Sequence, residues 1–422
     1  MTAVPAVPTP RGQVRERPGR ELVPAQFGLL DPLTDIAHGY YLDGFSDDAV
    51  TACRMWAVLA DAVDDVVTSR YLLYIQAVAL LELGRYGDAV DVAAQLIDSL
   101  DGADEPVWRA KALAATAEAS TRLARPSAAI AALAEADWLV RSVPSGTYGH
   151  LSASMALALA LRSANLVERS DEVLSRLDGL GDALVEVLII QELALLSAHW
   201  ATVLSLIGRR EEARRHYADT ARRALRMQAC ARLADSPSMV ARGEVIEAFA
   251  MLHLGDTELA AARARGAAGR FDARPELMES HLLLLVLGTS AARGGDLLGA
   301  RLHLRALVRD AEGCGREVWA MAGRAALADV DTLQHGEAEG TVLWREVAQT
   351  ALASVWAERE ARFAALRDQD SIRDLTERAD RYGRDILEDP LTGLGNRRML
   401  TRALKGQVGD SVIFVDVDEF QA

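Results

Sequence analysis

The sequence predicts an all-α chain: an array of paired helices, one long connecting helix, and a short C-terminal segment of different character. Three observations lead there. Half of the 422 residues are apolar but only 5% are aromatic, so the core must be built from Leu, Ala and Val, and alanine combines the highest helix propensity with close helix approach. Helical segments punctuated by glycine recur along the chain. Residues 341–387 contain no Pro and one Gly, Gly383, which permits an uninterrupted helix. The expected organisation is a disordered leader over 1–28, a helical-repeat sensor or interaction region over 29–340, a helical linker over 341–388 and a distinct segment over 389–422.

The array rests on a recurring form. In YLLYIQAVALLELGRYGDAVDVAAQLIDSL a first helix carries Ala77, Leu80 and Leu81, Gly84 supplies a tight turn, and a second helix places Ala89, Ala93 and Leu96 on one face. The form returns with Gly208, Ala213 and Tyr217, with Gly255 and Ala260, and with Gly295 and Ala300. LLELGRYGDAV and LSLIGRREEAR resemble the tetratricopeptide family in a degenerate form, over residues 70–330. That resemblance implies an α-solenoid of roughly seven helix pairs, each too short to bury its own face. An antiparallel helical bundle is the competing architecture. The intervals of 47 and 40 residues between Gly208, Gly255 and Gly295 exceed the strict 34-residue repeat.

A formal charge of −15, with 61 acidic and 46 basic residues, argues against general binding to nucleic-acid backbones. Cys53, Cys230 and Cys314 are scattered and form no CxxC pair, so neither a disulfide framework nor a zinc site is expected. No apolar run reaches the length of a membrane span, and the N-terminus lacks a signal-peptide core; no membrane insertion and a cytoplasmic location are expected. The eight histidines show no metal-ligand spacing, although His199 and His216 fall near one helix-pair seam. Asp61, Asp64 and Asp65 read as a solvated helix face before a metal site. Arginines at 209–215 and 222–226 suggest a basic interaction stripe.

In the linker, Ile372, Leu375, Ala379, Tyr382 and Ile386 recur at steps of 3, 4, 3 and 4, the spacing of a heptad seam. A parallel two-stranded coiled coil, giving a homodimer, or a helix docked on its own array would both produce it.

In the last segment, Asn396 is placed to cap a helix over Arg397, Arg398, Met399 and Leu400. Val412 to Val415 read as a buried strand, with Asp416 and Asp418 then pointing one way. DPLTGLGNRR followed by FVDVDEF resembles the opening of the diguanylate cyclase family, whose full domain carries a Gly-Gly-Asp/Glu-Glu-Phe loop. The resemblance implies a truncated α/β fragment and a parent enzyme that condenses two GTP into cyclic di-GMP with magnesium. It implies that Asp416 and the Val417 backbone carbonyl hold metal, and that Glu419 and Phe420 line a phosphate-binding turn. Asp389, Pro390, Leu391, Thr392, Gly393, Leu394, Asn396, Arg397 and Arg398 form the domain-opening motif. The chain as given lacks most of that domain and is expected to be inactive. Two functions follow: the regulatory and dimerising part of a diguanylate cyclase, or a non-catalytic helical-repeat scaffold that takes an unidentified protein, peptide or small-molecule signal. A transcriptional regulator is disfavoured because no basic recognition helix stands out.

Overall fold

The computed structural model describes residues 28–100, 105–177, 179, 183–389 and 394–404. The chain divides into two compact units, residues 1–366 and 367–422. The first holds seven helix pairs. They are α1 (Asp31–Leu42) with α2 (Ser46–Ala62), α3 (Val66–Glu82) with α4 (Tyr86–Asp98), α5 (Pro106–Arg122) with α6 (Pro126–Ser142), and α7 (Tyr148–Ser163) with α8 (Val167–Arg176). They continue as α9 (Ala183–Leu206) with α10 (Arg210–Leu233), α11 (Pro237–Leu254) with α12 (Thr257–Ala268), and α13 (Met278–Arg293) with α14 (Leu297–Gly313). α15 (Glu317–His335) follows, then α16 (Glu339–Leu387), which runs across the boundary between the units. This is a tetratricopeptide-like α-solenoid.

One backbone feature generates the array. The turn inside every pair contains a residue of positive φ: Gly44, Gly84, Ala124, Asn165, Gly208, Gly255 and Gly295. At Gly84 the amide donates to Leu81 O at 3.1 Å and Arg85 N donates to Leu80 O at 2.9 Å; at Gly208 the partners are Ser205 O at 3.1 Å and, from Arg209 N, Leu204 O at 2.8 Å. This satisfies carbonyls that the ending helix leaves open. The successive intervals are 40, 40, 41, 43, 47 and 40 residues. The period is therefore nearer 40 than 34, and Ala124 and Asn165 hide two of the turns from a search for glycine. Five positions after each of these residues stands a small buried one: Ala49, Ala89, Ala129, Ser170, Ala213, Ala260 and Ala300. There the second helix crosses the first, and a larger side chain would force the helices apart.

Several expectations are corrected by this geometry. Asp61, Asp64 and Asp65 do not share a helix face: Asp61 ends α2, Asp64 takes a positive φ in the turn, and Asp65 caps α3 by accepting from Thr68 N at 3.1 Å and from Leu30 N at 2.8 Å. The basic stripe is largely neutralised within the chain. Arg209 pairs with Glu212, Arg222 with Asp219, Arg226 with Glu186, and Arg223 turns inward to Asp171 and the Ser197 hydroxyl. α9 is long and apolar enough to cross a membrane by composition, but most of it is buried among its neighbours, as expected of a core helix.

Within the first unit the early part of α16 packs on the core through Trp356 and Leu366, and Arg359 pairs with Glu168 of α8. In the second unit, Ile372, Leu375, Tyr382 and Ile386 are 52–68% exposed, and Ala379 is exposed beside them. The end of α16 is followed by a single bridge between Glu388 and Gly395 and by α17 (Arg397–Leu404). Asn396 caps α17 as expected, accepting from Arg398 N at 2.9 Å, while its amide donates to Ile386 O at 2.8 Å. The expectation of an α/β fragment is corrected: among the described residues there is no β-strand. Asp389 N donates to Leu394 O at 2.7 Å, Asn396 caps α17, and Arg397 and Arg398 open that helix. Pro390, Leu391, Thr392 and Gly393, the strand expected at 412–415, and Asp416, Val417, Glu419 and Phe420 lie outside the described residues.

Valine at Gly84 or Gly208 is expected to cost about 1–2 kcal/mol each, because a β-branched residue resists positive φ. Ala124→Gly should instead gain about 0.5–1 kcal/mol by relieving a left-handed alanine. Urea denaturation followed by circular dichroism reads all three, and equal midpoints for Ala124→Gly and Gly84→Val would contradict this assignment of the turns.

Candidate functional site

The odd-numbered helices line the inner face of the array, and α5 shows what they present. Trp108, Lys111, Ala115, Glu118 and Arg122 fall at steps of 3, 4, 3 and 4 and so occupy one stripe of an otherwise alanine-rich helix. Along the α5 axis the stripe spans about 21 Å at 1.5 Å per residue.

Its carboxyl-terminal half faces a charged chamber drawn from several helices. Arg162 Nη1 of α7 meets Glu192 Oε2 of α9 at 2.6 Å. Arg316, just before α15, pairs with Glu82 at the end of α3, donates to the Glu276 carbonyl and lies 3.4 Å from His281 Nδ1. Glu118 lies in the field of Arg122, Glu82, Arg162 and Arg316. Enclosure by protein raises its carboxyl to about 7, against the partial relief that Arg122 supplies. Tyr41 of α1 feels Glu82, Glu192 and Glu118. His199 of α9 is lowered to about 3, first by burial and then by Arg162 and Arg122, so its imidazole is neutral; it contacts Asn165 Oδ1 at 3.3 Å. His216 stacks instead on Trp200 at 4.0 Å, so the two histidines serve different surroundings.

Cross-array contacts enclose this chamber. Arg122 Nη1 donates to Gly315 O at 2.9 Å, Arg242 Nη1 to Leu42 O at 3.0 Å, and the Arg274 guanidinium sits 3.5 Å from the Phe45 ring centre. Early and late repeats therefore touch. Behind it, Arg242 grips Glu279 through two bonds of 3.1 and 3.2 Å, and Gln191 adds a third at 2.6 Å. Burial alone would raise the Glu279 carboxyl, but Arg242 holds it below the usual carboxylate range. This fully buried group is structural.

The amino-terminal half of the α5 stripe is aromatic. Lys111 Nζ lies 3.9 Å from the Tyr74 ring centre, 4.6 Å from Trp108 and 5.1 Å from Tyr71. No metal-ligand cluster occurs among the described residues.

Of the residues around the chamber, only His199 was singled out from the sequence. A signal exists: Glu82 and Arg122 stand two residues, and Arg162 three, before a left-handed turn, at the ends of successive inner helices. The non-glycine turns concealed that register.

No protein-family model matches the chain, and no curated protein matches it. Several solved structures match the chain at low identity. RapI in its apo form is 12% identical, with 84% of this chain and 99% of that chain covered and a TM-score of 0.41. A tetratricopeptide repeat protein from Parabacteroides merdae is 12% identical over 69% of this chain and 98% of that one, with a TM-score of 0.37. A Rap protein solved with the competence and sporulation factor is 12% identical over 80% and 98%, with a TM-score of 0.39. The cyclase reading is corrected accordingly. Neither the family comparison nor the described fold supports a diguanylate cyclase fragment, and its GTP, magnesium and cyclic di-GMP chemistry and the role of regulatory part of such an enzyme fall with it.

The raised carboxyl of Glu118 sets a pH signature. The folded state holds a proton that the unfolded state releases above about 4.5, so stability is lost as pH rises toward and through 7. Glu118→Gln should therefore stabilise the chain at pH 8.5, on the order of 1–3 kcal/mol, and change little at pH 4.5. Urea midpoints at the two pH values measure this; an equal effect at both would show that Glu118 is not enclosed as described.

Proposed function

We propose that the repeat array is a non-catalytic regulatory scaffold that holds an extended peptide, or a peptide segment of a protein, along its inner face, in a bacterial cytoplasm. The observation that carries this reading is the pairing of Arg162 with Glu192 and of Arg316 with Glu82, from four separate parts of the array, beside the α5 stripe that carries Glu118. Paired acids and bases with an aromatic end suit backbone and mixed side-chain polar groups. Nothing in the chamber is arranged as a nucleophile with its base, which is why binding is favoured over catalysis.

A random peptide display library panned against the full chain tests the reading. Selected peptides should bind with micromolar Kd, and Glu118→Gln should weaken them about tenfold, the scale of one hydrogen bond, whereas the exposed Arg85→Gln should not. Binders indifferent to Glu118→Gln would place recognition elsewhere.

We also propose that the stripe Ile372, Leu375, Ala379, Tyr382 and Ile386 takes the same stripe of a second copy. Its heptad steps support this. Leu375→Asp with Ile386→Asp should convert a dimer to a monomer in sedimentation at micromolar concentration, with the helical circular dichroism of the array kept. A dimer that survives both changes would exclude the seam.

A further inference from the structure

Lys111 is an exception among the buried cations of this protein. It is 2% exposed, yet no hydrogen bond or ion pair to it is found among the described residues. Arg242 and Arg316, buried to a similar degree, each have a carboxylate partner, Glu279 and Glu82. The surroundings of Lys111 are rings: Tyr71 and Tyr74 of α3 and Trp108 of α5, with Tyr71 and Trp108 held edge to face at 4.6 Å between centroids. His38 of α1 lies within reach of its charge.

Ring faces attract an ammonium, but they do not replace the hydration that burial removes. An apolar side chain would complete this packing without that cost. The amine also sits on the inner stripe, one helical turn before Ala115 and two before Glu118, at the aromatic end of the surface proposed above for ligand.

We propose that the Lys111 cage is a subsite for a carboxylate attached to an apolar or aromatic group, which salt-bridges the amine while its apolar part stacks among Tyr71, Tyr74 and Trp108. Such an anion supplies the counter-charge that the fold omits. Burial lowers the Lys111 amine to about 7, as expected of a cation with no carboxylate beside it. The proposal rests on the inner face being the ligand surface. It adds the chemistry of one end of that ligand: a chain-terminal carboxylate or an acidic side chain next to an aromatic residue.

Lys111 and Lys405 are the only lysines in the sequence, so the full chain labelled with side-chain ¹⁵N-lysine gives a two-signal spectrum, assigned by Lys111→Met. Three probes separate the sources of charge: acetyl-Ala-Phe with a free C-terminus, acetyl-Glu-Phe-amide with an acidic side chain, and acetyl-Ala-Phe-amide with neither. The expected result is that at least one charged peptide shifts the Lys111 Nζ signal saturably, binds about tenfold tighter than the neutral one, and loses that preference in Lys111→Met. Which charged peptide does so names the source. If none shifts the signal, or the neutral peptide shifts it as strongly as the charged ones, the subsite is overturned. The wild-type titration decides the matter even if Lys111→Met folds poorly. Display-selected peptides that depend on Glu118 while Lys111 stays silent would remove the carboxylate subsite and leave the peptide-binding reading intact.

Discussion

Arg316 is the contact on which the enclosed inner face depends. Its guanidinium joins the segment before α15 to the Glu276 carbonyl and to Glu82 at the end of α3, from which it is separated by α4 and five whole helix pairs. A solenoid packed only through nearest neighbours would remain an open arc. Arg122 on Gly315, Arg242 on Leu42 and Arg274 over Phe45 repeat the closure at other heights. These contacts bury charge, which costs hydration, and the cost is offset because each guanidinium finds carboxylate, carbonyl or ring. Closure also explains the perturbed groups. Glu118 and His199 keep some exposure, yet protein surrounds them, and their neutral forms are favoured.

Closure needs a constant advance from pair to pair, and that comes from the left-handed turn with its small residue five positions later. Where the turn is Gly84 or Gly208 the requirement is visible in the residue type. Where it is Ala124 the surrounding packing overrides local preference, whereas Asn165 adopts the same conformation more readily because asparagine tolerates it. Ser170 shows the same tolerance at the crossing: its hydroxyl donates to Ala158 O at 2.7 Å, which lets a polar residue stand where the other pairs have alanine.

The C-terminal segment shows how far a short motif reaches. Asn396 was legible as a helix cap because capping is local and involves amides two or three residues away. The resemblance carried by DPLTGLGNRR and FVDVDEF implied a whole domain, and neither the described fold nor the family comparison supports it. The seam from Ile372 to Ile386 was equally legible as a stripe, since it needs only helical periodicity, but periodicity alone does not say what covers it.

Helix content, the pairing of helices, the alanine crossings and the continuous helix over 341–387 were all readable from the chain, because each depends on residues within a few turns of one another. The charged chamber was not. Glu82, Glu118, Arg162, Glu192 and Arg316 are separated by up to 234 residues, and each looks in isolation like an ordinary charge near a helix end. Lys111 could be seen as one of two lysines, but only the packing of α3 against α5 turns it into a caged amine without a counter-ion. Local propensity sets where helices start and stop. The curvature that brings distant charges into one enclosure accumulates over many small helix-crossing rotations, and only the tertiary structure adds them up.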